Sequence, residues 1–240
     1  MIGRDYLEEF INLVYPRRCP ICDEIIIHKE LNLCRECQGK IMWIKEPRCK
    51  KCSKEISSHE AEYCYDCIVK NHTFHEGIAG FSHDKYLRNS IYRFKYKNKR
   101  EYAGFYTQII INLHKHKILS WDAQVLVPVP LFPKKKLHRG FNQSQELGHL
   151  LSKELGIPLD TNLLHRIKNT NPQKELNSMQ RKKNVENAFI IPNKIVQYKN
   201  IIIVDDIYTT GATIDSCAKV LLRAGAEKIY FITISIGDDF

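Results

Sequence analysis

Apolar positions change their period along the chain. Near the start Tyr6, Leu7, Phe10, Ile11 and Val14 recur at helical spacing, which predicts a short amphipathic helix within residues 1–18 that docks on the body. Residues 19–76 are organised by cysteine pairs. From about residue 77 the pattern changes again. Gly77–His83 reads as a strand, followed by helical stretches near 85–96 and 100–116 carrying Leu87, Ile91, Phe94, Phe105, Ile109 and Leu113. Strand and helix then alternate: Val125–Val129 as strand, Phe141–Leu155 as helix closed by Gly156, and Ile201–Val204 as strand. A helix over 212–224, closed by Gly225, and a strand over Lys228–Ser235 complete the series. Buried strands alternating with helices that end in glycine predict βαβ units, and so an α/β domain over 77–240 with an open parallel sheet flanked by helices. In such sheets ligands sit beyond the carboxyl ends of the strands.

Eight of the nine cysteines form four C-x-x-C pairs: Cys19/Cys22, Cys34/Cys37, Cys49/Cys52 and Cys64/Cys67. The second half of this series repeats the first at an offset of 30 residues, with eleven residues between pairs in each half. A C-x-x-C turn aims two sulfurs at one point, and two such turns complete a tetrahedron around Zn²⁺ with no open coordination position. Two structural zinc sites are therefore expected over 19–76. Sequential pairing follows from the repeat, while a crossed arrangement is the alternative. About 50 residues bury too little core to fold unaided, so zinc binding is expected to be coupled to folding. Cys217 stands apart, on a helical face with Ile214, Ala218 and Leu221, and reads as a buried apolar side chain.

The formal net charge is +10, and it is uneven. Residues 80–200 carry 22 Lys and Arg against 8 Asp and Glu, while both flanking segments are slightly acidic. A polyanion would bind in the middle of the chain. No run of about 18 uncharged apolar residues occurs, so no membrane span is expected. The acidic N-terminus is unlike a signal peptide, and the expected location is the cytoplasm, where disulfides are disfavoured.

At the end of strand 201–204 the chain reads Ile-Ile-Ile-Val-Asp-Asp-Ile-Tyr-Thr-Thr-Gly-Ala-Thr, residues 201–213. Asp205 and Asp206 are expected to leave the sheet there, and Thr209, Thr210, Gly211, Ala212 and Thr213 to open a helix. Small residues let the backbone wrap an anion, hydroxyls and N–H groups bond it, and the helix dipole favours negative charge. Adjacent carboxylates are ready acceptors for a vicinal diol. No Walker A loop stands upstream to make this a nucleoside-triphosphate strand.

These residues resemble the signature of the type I phosphoribosyltransferases. The resemblance implies that Asp205 and Asp206 hold the ribose hydroxyls of phosphoribosyl diphosphate and that Asp206 and residues 209–213 line its 5′-phosphate loop. Pro128, Val129 and Pro130, in Leu126-Val-Pro-Val-Pro-Leu131, stand where that family keeps its pyrophosphate loop. Lys134, Lys135, Lys136 and Arg139 follow closely enough to neutralise a diphosphate. Mg²⁺ is expected to accompany the ligand. Gln173, Arg181, Lys182 and Lys183, within the polar stretch 165–186, correspond to the mobile lid. With the last strand ending near residue 235, cover for the site is expected from the ribbons or from 78–100. There Tyr92-Arg-Phe-Lys-Tyr-Lys-Asn-Lys-Arg100 interleaves aromatic and basic residues, the composition of a nucleic-acid surface at Arg93, Lys95, Lys97 and Lys99. Phe94 reads as core.

Pro128-Val-Pro, His138-Arg-Gly-Phe-Asn-Gln143, Thr170-Asn-Pro-Gln173, Arg181-Lys-Lys-Asn-Val185 and residues 204–213, behind four-cysteine ribbons, narrow the resemblance to the ComF family of bacterial competence proteins. That resemblance implies a role in DNA uptake, with single-stranded DNA as a partner and DNA-uptake helicase or recombination proteins as further ones. Three functions stay open. The chain is a phosphoribosyltransferase with Asp205, Asp206 and Arg139 as catalytic residues, a DNA-handling factor that binds phosphoribosyl diphosphate without turnover, or a zinc-ribbon scaffold for partners.

Overall fold

The computed structural model describes residues 14, 16–26, 32–169, 187–192 and 195–237. Most of the expected N-terminal helix lies outside the described residues, as do Gln173, Arg181, Lys182 and Lys183. Two short helices, α1 (Arg35–Gln38) and α2 (Tyr65–Val69), belong to the cysteine-rich part. Then come β1 (Glu76–Ser82), α3 (Lys85–Tyr96), α4 (Tyr102–Leu119), β2 (Val125–Pro128), α5 (Pro133–Arg139) and α6 (Gln143–Leu155). The chain continues through β3 (His165–Arg166), β4 (Phe189–Ile190), β5 (Asn200–Tyr208), α7 (Ala212–Arg223) and β6 (Lys228–Ile236).

Strands β1, β6, β5 and β2 lie in that order in one sheet, and every pairing is parallel. The period-two alternation of its strands feeds two cores. Ile202 and Val204 of β5 join Leu126, Ile232 and Ile234 on the face packed by α3, α4 and α6. Ile201 and Ile203 join Val125, Val127, Ile229 and Phe231 on the face packed by α7. The runs of apolar residues in these strands follow from burial on both faces. Phe94 is fully buried in the first core, and Cys217 packs with Ile214, Ala218 and Leu221 in the second.

Strand β5 is longer than the sequence suggests. The paired carboxylates read as an exit from the sheet, yet the ladder continues to Tyr208. On one side β2 stops at Pro128, opposite Val204, because prolines at 128 and 130 have no N–H to donate. On the other side the apolar run of β6 extends to Ile236 and pairs with Tyr208. Asp205 and Asp206 therefore stand on a strand that outruns one neighbour and is supported by the other. Helix α5 and the antiparallel β3–β4 pair were not legible in the pattern.

The ribbons repeat in structure as in sequence. Arg18 bridges Ile25 and Arg48 bridges Glu55, and the residue after each second cysteine, Asp23 and Ser53, has φ of 71°. Among the described residues neither ribbon has a core of its own. Cys19, Ile21, Leu33, Cys37 and Ile41 belong to the core that holds Phe81, Phe94 and Tyr102. Ile44, Cys49, Cys52 and Cys64 belong to the core that holds Phe74, Tyr208 and Cys217. Backbone bonds from Gly77 N to Lys51 O (2.9 Å) and from Ser82 N to Met42 O (3.1 Å) cover the β1 edge, which otherwise offers unpaired donors.

Phe231 illustrates how tightly the second core is filled. Its ring stacks on Tyr208 at 4.8 Å and meets Phe74 edge-on at 4.9 Å. A Cβ at Gly77 would fall inside the Phe231 ring, and the flanking rings leave it nowhere to go. Gly77→Ala is expected to destabilise the fold by about 3 kcal/mol, the upper part of the overpacking range, read as a lower urea midpoint at constant m-value.

Candidate functional site

Each four-cysteine set comes together sequentially. The Sγ atoms of Cys19, Cys22, Cys34 and Cys37 all lie within 4.8 Å of one another, and so do those of Cys49, Cys52, Cys64 and Cys67. The closest cross-turn spacings are 3.6 Å, Cys22 to Cys34 and Cys52 to Cys64. A tetrahedron with Zn–S bonds of 2.3 Å has edges of about 3.8 Å, so both sets fit zinc and the crossed pairing is excluded. Hydrogen bonding with Cys52 holds the Cys49 thiol far below its ordinary value, while Cys52 is pushed far up by Cys49. That is one shared charge among crowded sulfurs, which a divalent cation resolves. These are two zinc-binding sites.

Ribbon one is tied to α3 and α4. Arg93 donates to the carbonyls of Pro20 (3.3 Å) and Ile21 (2.5 Å). Lys99 pairs with Asp23 at 2.8 Å, and the Tyr102 hydroxyl donates to the same carboxylate at 2.6 Å. Lys95 takes a third direction: its Nζ lies 2.7 Å from Asp206 Oδ1, both side chains mostly buried. Of the four cations expected to form a nucleic-acid surface, three thus make contacts within the chain, and Lys97 is exposed.

The C-terminal end of β5 gathers the other expected residues. Asn142 caps α6 through Ser144 N (3.2 Å) and donates from Nδ2 to Val129 O (3.0 Å). This fixes α6 against Pro128–Pro130. Ser144 Oγ then donates to Asp205 Oδ1 at 3.0 Å, and the same oxygen accepts from Asp206 N at 2.9 Å. Burial, and next the charge of Asp206, push the Asp205 carboxyl up to about 7. Gly211, with φ of 76°, is the N-cap of α7, so Thr209–Thr213 form the turn from β5 into that helix.

A basic cluster of Arg166, Arg139 and Lys135 reaches the charge of Asp205 through Arg166. Arg139, at the end of α5, donates to Gln143 Oε1 (3.0 Å) and to the Tyr96 hydroxyl (2.9 Å), and its guanidinium lies 4.8 Å over the Tyr96 ring. Arg166, on β3, lies 5.4 Å over Phe189 of β4. Burial pulls its guanidinium below the ordinary value, against the nearby charge of Asp205. Burial, and next Arg166 and Arg139, likewise hold Lys135 below the usual ammonium range. Lys134 and Lys136 are exposed. Two segments reach the strand ends: α3, whose Lys95 pairs with Asp206, and the segment after the second ribbon, whose His72 Cε1 would lie 2.9 Å from a Cβ at Gly211.

Ser144, Arg166, His72 and Asp215 were not singled out in the sequence. No spacing marks them, although Ser144 lies in the segment after His138-Arg-Gly-Phe-Asn-Gln143 and Arg166 at the start of the polar stretch. Among the described residues no helix is long and apolar enough to cross a membrane.

Residues 10–68 match the double zinc ribbon domain family. Along most of its length the chain is similar to competence protein F of Haemophilus influenzae, 29% identical over 219 residues, which cover 88% of this chain and 93% of that protein. It is 27% identical to DNA utilization protein YhgH of Escherichia coli over 220 residues, 90% and 96% of the two chains. Competence protein ComFC of Bacillus subtilis is 26% identical over 231 residues, 86% of this chain and 89% of that protein. The chain is a homologue of the competence protein F, ComFC and YhgH proteins, with a double zinc ribbon at its N-terminal end.

Proposed function

We propose that the protein binds phosphoribosyl diphosphate with Mg²⁺ at the C-terminal end of its sheet and acts in the cytoplasm in the handling of single-stranded DNA during uptake. The observation that carries the site is the run from Asp205 and Asp206 directly into the turn that closes at Gly211 on a 12-residue helix. A carboxylate pair for a diol and an anion-binding turn thus stand at the two ends of one ribose 5-phosphate. The DNA role rests on the similarity to competence protein F and to a DNA utilization protein.

In this reading Asp205 and Asp206 accept the ribose hydroxyls. Lys95 and Ser144 hold the two carboxylates in place, and Thr209–Thr213 receive the 5′-phosphate. Pro128–Pro130 present backbone to the diphosphate, with Lys135 and Arg139 as its cations. Carboxylate oxygens are suitable donors for a hard cation, and Mg²⁺ would neutralise charge on the diphosphate. Gln173, Arg181, Lys182 and Lys183 are assigned to a lid that excludes water, and residues 1–18, 19–76 and 77–240 to an N-terminal helix, the double ribbon and the phosphoribosyltransferase-like domain. Exposed Lys97, Lys134 and Lys136, with half-exposed Tyr92 and Tyr96, form the face left for a nucleic-acid strand or for DNA-uptake helicase and recombination partners.

The second reading is phosphoribosyl transfer to an acceptor. It is favoured by Arg139 at the end of α5, which adds its charge to that of Arg166 near Asp205 and could stabilise a leaving diphosphate. Calorimetric titration with phosphoribosyl diphosphate and Mg²⁺ tests the binding claim: a saturable single site is expected, and no heat with well-folded, zinc-loaded protein overturns it. Pyrophosphate release on adding candidate bases or amines separates transfer from binding alone.

The raised Asp205 carboxyl sets a pH dependence. A diol and a metal ion need the ionised form, so affinity is expected to be full above pH 8 and to fall about tenfold per pH unit below about 7. Stability of the free protein moves the other way. The folded carboxyl holds its proton at higher pH than the unfolded one, so this group's stabilising contribution grows as pH falls from about 7 toward 4. Binding isotherms and thermal melts across pH 5.5–8.5 check both signs.

A further inference from the structure

The turn that carries Gly211 does not rest on the sheet alone. Asp215, in the first turn of α7, is held by the segment that leaves the second ribbon. Thr73 N donates to Asp215 Oδ1 at 2.8 Å and Thr73 Oγ1 to the same oxygen at 2.9 Å. His72 Nδ1 lies 2.6 Å from Asp215 Oδ2, and an ionised carboxylate only accepts, so the ring N–H donates. The side chain is 1% exposed and stacks on Phe74 at 4.9 Å. The carbonyl of His72 accepts from Lys51 Nζ at 3.0 Å, and Lys51 lies between the zinc ligands Cys49 and Cys52.

The same histidine touches the anion turn. A Cβ at Gly211 would lie 2.7 Å from the Tyr208 hydroxyl and 2.9 Å from His72 Cε1. Three polar atoms about this contact, His72 Nε2, the Tyr208 hydroxyl and Thr210 Oγ1, are buried without a hydrogen-bond partner among the described residues. Such groups are rare in folded chains and call for a partner, a water or a ligand, at the place where they gather. Among the described residues the first ribbon makes no comparable contact with this turn. Its ties run to α3 and α4.

We infer that His72, carried by the second zinc ribbon and clamped to Asp215, is a positioning residue of the turn 209–213, so that the second ribbon sets this protein's affinity for a phosphate monoester. The inference rests on the reading of 209–213 as the 5′-phosphate turn. A turn of small residues has many conformations to lose, and a binding site that must order itself on contact with its ligand binds more weakly. The clamp at Asp215 fixes the helix start, and the ring edge against Gly211 keeps the turn open. A diphosphate held at Pro128–Pro130 does not depend on this clamp.

The test uses the full, zinc-loaded chain and two probes, ribose 5-phosphate and magnesium pyrophosphate. His72→Phe keeps an aromatic ring against Phe74 and removes both nitrogens. Ribose 5-phosphate is expected to bind about 10- to 100-fold more weakly, the scale of a small misplacement of a binding group, with pyrophosphate affinity and a zinc content of two unchanged. Unchanged ribose 5-phosphate affinity overturns the inference, and so does an equal loss for both probes, which would mean general loosening. If His72→Phe does not fold, Thr73→Val carries the test: a smaller loss for ribose 5-phosphate alone is expected, and no loss overturns it. Wild-type protein that binds pyrophosphate but not ribose 5-phosphate would sink the reading of the turn itself, and the inference with it.

Discussion

Replacing Asp205 and Asp206 together by asparagine is expected to weaken binding of phosphoribosyl diphosphate with Mg²⁺ by two to four orders of magnitude while the chain stays folded. At pH 8, where Asp205 is ionised, each carboxylate would lose a charge-assisted hydrogen bond to the ribose, at about 1.5–3 kcal/mol apiece, and every 1.4 kcal/mol is about tenfold in affinity. The fold tolerates the change for reasons visible at each position. Asp205 is buried and already holds its proton near neutrality, and an amide oxygen can still accept from Ser144 Oγ and Asp206 N. Asparagine at 206 leaves Lys95 without its counterion, so a modest loss of stability is expected there. Calorimetry on both proteins, with a thermal melt as control, reads the result. Undiminished binding in the double variant would remove the acidic pair from the site. Ser144→Ala gives a graded comparison, with one neutral bond lost and at most about a tenfold effect.

Loss of one zinc is expected to unfold the sheet along with its ribbon. The apparent free energy of a structural zinc site, about 10–16 kcal/mol, is comparable to the whole stability of a typical domain, about 5–15 kcal/mol. The ribbons cannot melt alone, because Cys19, Ile21 and Cys37 share a core with Phe94 and Tyr102. Cys49, Cys52 and Cys64 share one with Phe74, Tyr208 and Cys217. Cys67→Ser, at the most accessible part of the second site, is expected to lower Tm by about 10–20 °C, as a loss of about 5 kcal/mol would in a chain of this size. The transition should remain single in both far-UV and near-UV signals. A separate early transition, with the sheet melting at its wild-type temperature, would show that the ribbons are independent domains.

The zinc sites were legible because their information is local. Each C-x-x-C turn needs only its own few residues, and the 30-residue repeat reappears in the backbone at Arg18 and Arg48 and at Asp23 and Ser53. The parallel sheet was legible for a similar reason, since strands buried on both faces must be apolar throughout and their helices must end somewhere. Where β5 ended was not. Asp205 and Asp206 look like an exit until β6 is seen to pair as far as Ile236.

Residue order alone was enough to place four zinc-ligand turns, the α/β order of elements and the acidic run that enters the Gly211 turn, while the pairing of those turns came from the structure. Tertiary structure decided what surrounds that run. Lys95 and Asp206 are 111 residues apart, Ser144 and Asp205 are 61 apart, and His72 and Asp215 are 143 apart. The basic stretch 92–100 was visible as composition, but which of its cations would turn inward was not. Arg93 and Lys99 went to the first ribbon and Lys95 to the acidic pair. Periodicity and turn chemistry are set by neighbours along the chain. The partner of a polar side chain is set by which helix face meets which strand end, and that follows only from packing both faces of the sheet at once.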